Sequence, residues 1–157
     1  MTTREQIDDF LAQKTLALVG ISHVETDFSR GLYRDMVKRG YEMIPVNPTA
    51  TEIEGKTCYP DVGSIPFKVD GVIVMTTPAV AEQVVKDCDK AGIKRVWLHR
   101  GVGQGAVSQA AIDYCEAHGI EVISGYCPYM FLPENGFFHS AHRFFRTMGK
   151  NKLVTTS

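Results

Sequence analysis

No run of apolar residues in this chain approaches the length needed to cross a bilayer, and its first nine residues are polar and acidic where a secretory signal needs a basic start and an apolar stretch. Both absences point to a cytoplasmic protein without a membrane partner. An excess of one charge is missing as well. Lys and Arg number 17 against 18 Asp and Glu, and they are scattered, so the strong positive field that drives nonspecific nucleic-acid binding is excluded. Any anion site must therefore be local. The four cysteines, Cys58, Cys88, Cys115 and Cys127, form no CxxC pair and no cluster, which argues against a zinc knuckle or a disulfide framework. Cys88 and Cys115 fall inside helical patterns and read as core residues. Repeats and low-complexity tracts are absent, and so is the Gly-x-Ser-x-Gly elbow of a hydrolase.

What is present is an alternation of two patterns. Thr3 and Gln6 fit a capping box and Ile7, Phe10 and Leu11 recur at helical spacing, so a short amphipathic helix is expected on the edge of a sheet. Apolar runs at 15–19, 42–46, 71–75, 95–98 and 120–123 read as five strands buried on both faces. Helical stretches fall between them, near 29–39, 79–91 and 105–118, closed by Gly40, Gly92 and Gly119. Strands alternating with helices need right-handed crossovers and a sheet covered on both faces. The expected fold is therefore α/β: a Rossmann-like, doubly wound, mostly parallel five-stranded sheet in a three-layer sandwich. Length and an ordinary apolar fraction of 44% support one domain over residues 1–150, with 151–157 as a flexible tail. Pro45 suits a strand end or a sheet edge. Residues 48–66 read as an extended connection with one helical turn at 61–64. Beyond Ser124 a loop at 127–133 leads to an aromatic and basic helix, 137–148, suited to covering the sheet or a second copy in a homodimer.

In an open parallel sheet the ligand sits outside the carboxyl ends of the strands, where the strand order reverses. Gly20, Ile21 and Ser22 follow the first strand. There Gly20 lets backbone approach a phosphate, Ser22 and Ser29 donate to it with the N–H groups opening the next helix, and Arg30 adds charge. The competing reading makes Gly20 a tight turn and Ser29 a helix cap. Asn47 stands where an NAD site places an acid on the ribose diol, and an amide cannot supply that charge-assisted acceptor pair. A nucleotide other than NAD is expected. Asn47 would meet a base edge or a phosphorylated ribose, with Pro48 setting the turn, or the pair only starts a turn. Thr76, Thr77 and Pro78 offer hydroxyls and a second helix start as the facing wall. Gly101 permits close backbone approach, and His99 reads as solvated or hydrogen-bonded rather than catalytic. Cys127 and His99 are the best nucleophile and base available but make a weak pair, so no catalytic residue is assigned. His139 and His142 read as part of a helix end, and no metal is expected.

Taken in order, Gly20-Ile-Ser22, Gly40-Tyr41, Pro45-Val-Asn-Pro48, Tyr59-Pro60, Val69-Asp70, Pro78, Ala91-Gly92, Val96-Trp-Leu98, Gly101-Val102 and Cys127 resemble the CoA-binding protein family, similar in fold to the N-terminal CoA-binding domain of the succinyl-CoA synthetase α subunit. The match runs from Phe10 to Pro128, and His99-Arg100 departs from the more usual Gln-Pro-like pair. The resemblance implies CoA or acyl-CoA as the ligand, with its diphosphate near Gly20 to Ser22 and Arg30. Its adenine end would lie by Asn47-Pro48, and its pantetheine arm would pass Thr76 to Pro78 toward Gly101. Arg30, Arg34 or Lys38 would neutralise the extra ribose phosphate. The chain ends before any second domain, so ligase chemistry is not expected. The leading expectation is a noncatalytic small-molecule binding module. Its alternatives are an NAD(P)-dependent oxidoreductase or other nucleotide-using enzyme on the same sheet, and a homodimeric scaffold with a vestigial pocket.

Overall fold

The structure, a computed structural model, describes residues 2–100 and 105–132. The chain opens with α1 (Arg4–Leu11), where the Thr3 side chain accepts from the Gln6 N–H and the Gln6 side chain accepts in return from the Thr3 N–H. This is the reciprocal cap that the sequence signals. Then follow β1 (Thr15–Val19), α2 (Phe28–Lys38), β2 (Glu42–Val46), a hairpin of β3 (Glu52–Ile53) and β4 (Lys56–Thr57), β5 (Gly71–Val74), α3 (Pro78–Lys90), β6 (Arg95–His99), α4 (Gln109–Ala117) and β7 (Glu121–Tyr126).

The five long strands form one sheet in the order β2-β1-β5-β6-β7, and every pairing is parallel. The expected doubly wound, three-layer fold is what the chain adopts. Alternate residues of each strand serve the two faces. Ala17, Val19, Val72, Val74, Val96 and Leu98 face α3 and α4 in one buried cluster. Leu16, Leu18, Met43, Ile73, Trp97 and Ile123 face α1 and α2 in the other. Cys88 and Cys115 are fully buried in the first cluster, as their helical spacing suggests.

Helix α1 does more than border the sheet. Ile7, Phe10 and Leu11 are buried in the second cluster, and the Phe10 ring meets Trp97 edge-on at 5.3 Å. A Cβ on Gly71 would come within 2.9 Å of that ring, so β5 opens with the one residue that leaves Phe10 its place. Pro45 lies in the edge strand β2, and its carbonyl accepts from the Tyr59 N–H on the outer side of the sheet. The missing donor therefore interrupts no ladder bond to β1.

Three expectations need correction. The helix read from 105 begins only at Gln109: Gly105 has φ +61°, which no helix tolerates, and Ser108 is the cap, accepting from the Ala111 N–H. The last strand runs on to Tyr126 through a bulge, where His99 pairs with Tyr126 after Leu98 pairs with Ser124, and Gly125 takes φ +88°. The β3–β4 hairpin lies inside the stretch read as an extended connection. The turn in that stretch does form at Val62–Ser64, with Asp61 accepting from the Ser64 N–H. The expected helix 137–148, His139, His142, Gly101 and the tail lie outside the described residues. Among the described residues no helix is long and apolar enough to cross a membrane.

Phe10→Ala removes a ring that is 1% exposed and leaves a cavity beside Trp97, the only tryptophan. Denaturant unfolding followed by Trp97 fluorescence should show a loss of about 3–4 kcal/mol.

Candidate functional site

The strand order reverses between β1 and β5. From β1 the chain crosses to β2 on one side, and from β5 it crosses to β6 on the other. At their carboxyl ends the two strands touch backbone to backbone. Gly20 has φ +96°, and a Cβ there would stand 2.5 Å from the Met75 carbonyl oxygen. Both the left-handed φ and this approach exclude other residues, so the tight turn is a direct observation.

Around Gly20 the predicted residues form one hydrogen-bonded knot. Ile21 is fully buried, and its carbonyl accepts from Asn47 Nδ2 at 2.8 Å. Asn47 Oδ1 in turn accepts from the Thr49 N–H, the Thr49 hydroxyl and the Ala50 N–H. Asn47 thus starts the turn after β2 and ties it to the loop after β1, leaving Pro48 exposed at the rim. The Ser22 N–H donates to Ser29 Oγ at 2.9 Å, and the Ser29 hydroxyl donates to Asp27 Oδ2 at 2.7 Å. Asp27, not Ser29, caps α2. Its bonds from the Ser29 hydroxyl and N–H hold its carboxyl below the usual range.

Arg30 is 7% exposed. Its Nη1 donates to the carbonyls of Ser22 and His23, both at 3.1 Å, while Nε and Nη2 meet Glu54 Oε2 at 2.9 and 2.8 Å. Arg34 reaches the same Oε2 at 2.8 Å and the Glu25 carbonyl at 3.0 Å. Burial pushes the Glu54 carboxyl up, but the hydrogen bonds and charges of Arg34 and Arg30 outweigh it and leave the pKa lowered. Glu54 occupies the two-residue β3–β4 turn with φ +52°, followed by Gly55 at φ +76°. That conformation costs a residue with a side chain about 1 kcal/mol. Neither Glu54 nor Asp27 stood out in the sequence; the one signal for the hairpin was Gly55.

At the end of β5 the two threonine hydroxyls are bonded within the chain. Thr77 caps α3, accepting from the Val80 N–H, and Pro78 fills its first position. The Thr76 hydroxyl donates to the Thr77 carbonyl. Phe28 at the start of α2 is half exposed and packs on His99 and Tyr129 at 5.6 and 5.8 Å. His99 is neither solvated nor hydrogen-bonded at Nε2: that nitrogen is buried without a partner, and burial lowers the ring's pKa. Burial likewise pushes the Cys127 thiol up, which keeps it protonated. At the other edge, Glu5, Asp9 and Glu121 line a shallow groove whose charge repels an anion. Among the described residues no group of three or more His, Cys, Asp or Glu is placed to hold a metal.

Fold and edge together define a doubly wound, Rossmann-like domain whose strand order reverses between β1 and β5, the place where ligands bind in sheets of this kind. The CoA binding domain family matches residues 14–133, and the chain belongs to that family. It is 24% identical over 146 residues to acetate–CoA ligase [ADP-forming] II of Archaeoglobus fulgidus, a match covering 88% of this chain and 22% of the ligase. The chain thus spans about a fifth of that relative's length. A hypothetical protein from Pyrococcus horikoshii OT3 superposes with a TM-score of 0.76 at 28% identity, covering 82% of this chain and 89% of that one. The apo dinucleotide-forming acetyl-coenzyme A synthetase 1 of Ca. Korarchaeum cryptofilum superposes at 0.63 and 26% identity, over 74% of this chain and 27% of the synthetase.

If Arg30 served only to hold a ligand, Arg30→Ala would leave the free protein as stable as before. Its bonds to two carbonyls and Glu54 predict instead a loss of about 2–3 kcal/mol without ligand, read by urea unfolding.

Proposed function

We propose that this domain binds CoA or an acyl-CoA in the crevice at the β1–β5 reversal, as a binding module without catalytic residues of its own. The observation that carries the reading is the backbone contact of Gly20 with Met75, which brings the loops after β1 and β5 together at the topological switch point of a CoA binding domain. A long ligand with a charged head and a thin arm suits such an edge. In this reading Gly20 to Ser22 take the diphosphate, exposed Pro48 and its turn take the adenine end, and Thr76 to Pro78 pass the pantetheine arm toward Gly101. Half-exposed Phe28 supplies apolar surface beside that path. Ser29, Asn47 and the Nη1 group of Arg30 act from beneath, holding the loops in shape.

Cys127 is poorly suited to covalent chemistry, because burial favours its thiol over the nucleophilic thiolate. The four cysteines are free, which fits residence in the reducing cytoplasm.

Thermal-shift titration tests the reading. CoA and acetyl-CoA should raise the melting temperature, by about 2.7 kcal/mol of added stability at a hundredfold excess over Kd, while NAD, NADP and ATP should not. Stabilisation by NAD alone would contradict it.

A further inference from the structure

Glu54 is the only described residue other than glycine with a positive φ, and it sits in a two-residue turn that ordinarily takes Asn-Gly. Asn would fit the turn more easily but would bring no negative charge. What Glu54 does bring is one carboxylate oxygen shared by two guanidinium groups, at 2.8 Å from each. The remaining donors of the same arginines hold the carbonyls of Ser22, His23 and Glu25, so the pair lies directly beneath the loop after β1. Two guanidinium groups thus share one carboxylate oxygen. Arg34 is 40% exposed at its side chain and Glu54 20%, so the cluster opens to solvent on the β2 side of the crevice.

An anionic oxygen held by two arginines has the geometry that a phosphate oxygen would take. The cluster also lies on the flank assigned above to the adenosine end of the ligand. We propose that Glu54 is an internal surrogate for the ligand's ribose phosphate: it occupies Arg30 and Arg34 in the free protein, and a nucleotide carrying that phosphate must displace it. Glu54 then sets specificity by lowering affinity for the phosphorylated ribose while leaving the nucleotide that lacks this phosphate unaffected.

This inference rests on the CoA reading, and the experiment separates the two. Calorimetric titration of CoA and of dephospho-CoA would be run on the unaltered chain, on Glu54→Asn, which suits the turn, and on Glu54→Gln, which keeps the side-chain length. Both variants should bind CoA about fivefold more tightly, the scale of one partly exposed ion pair removed as a competitor, with dephospho-CoA unchanged. Equal or weaker CoA binding in folded variants, or equal gains for both nucleotides, would overturn the surrogate role and leave the CoA reading standing. Failure of both nucleotides to bind any of the three proteins would overturn the CoA reading and the surrogate with it. Loss of the native Trp97 fluorescence in both variants would make Glu54 a requirement of the fold and overturn the proposal as well.

Discussion

A buried guanidinium organises the carboxyl edge of this sheet. Arg30 enters from the first turn of α2, holds the carbonyls of Ser22 and His23, and balances its charge on Glu54, which arrives from a hairpin beyond β2. A charge taken out of water is tolerable only when its donors are satisfied, so each partner constrains the others. Loop, helix and hairpin consequently have one mutual arrangement. With the carbonyls of the β1 loop turned toward Arg30, that loop is shaped from beneath, and Asn47 fixes it from the side through the Ile21 carbonyl.

The second constraint is purely steric. Gly20 against the Met75 carbonyl brings the ends of β1 and β5 closer than any side chain would allow. Together the two constraints fix the backbone where β1 and β5 end, with Pro48, Thr77 and Phe28 exposed.

The layered fold was legible because the apolar runs of β1, β2, β5 and β6 and the stripes of α2 and α3 follow the two periods that burial imposes. The start of α4 was not, because Gly105 looked like a helix entrance when its positive φ makes it a turn. At the site, Gly20 and Pro78 were readable since their roles are local. Ser29 and Arg30 were read as facing a ligand; in the free protein both are buried and bonded within the chain, to Asp27 and Glu54. The signal lay in the spacing: Ser29 falls on the same stripe as Leu32, Tyr33 and Met36, all buried. The partner of Arg30 could not be found that way, since Glu54 is 24 residues away in a hairpin with no apolar pattern.

In the proposed reading the ligand meets the chain at the β1–β5 reversal. Backbone amide shifts followed by NMR during titration with CoA test it most directly. Perturbations should concentrate at Gly20 to His23 and at Thr76 and Thr77. Perturbations concentrated instead around Gln6, Asp9 and Glu121 at the opposite edge would contradict it.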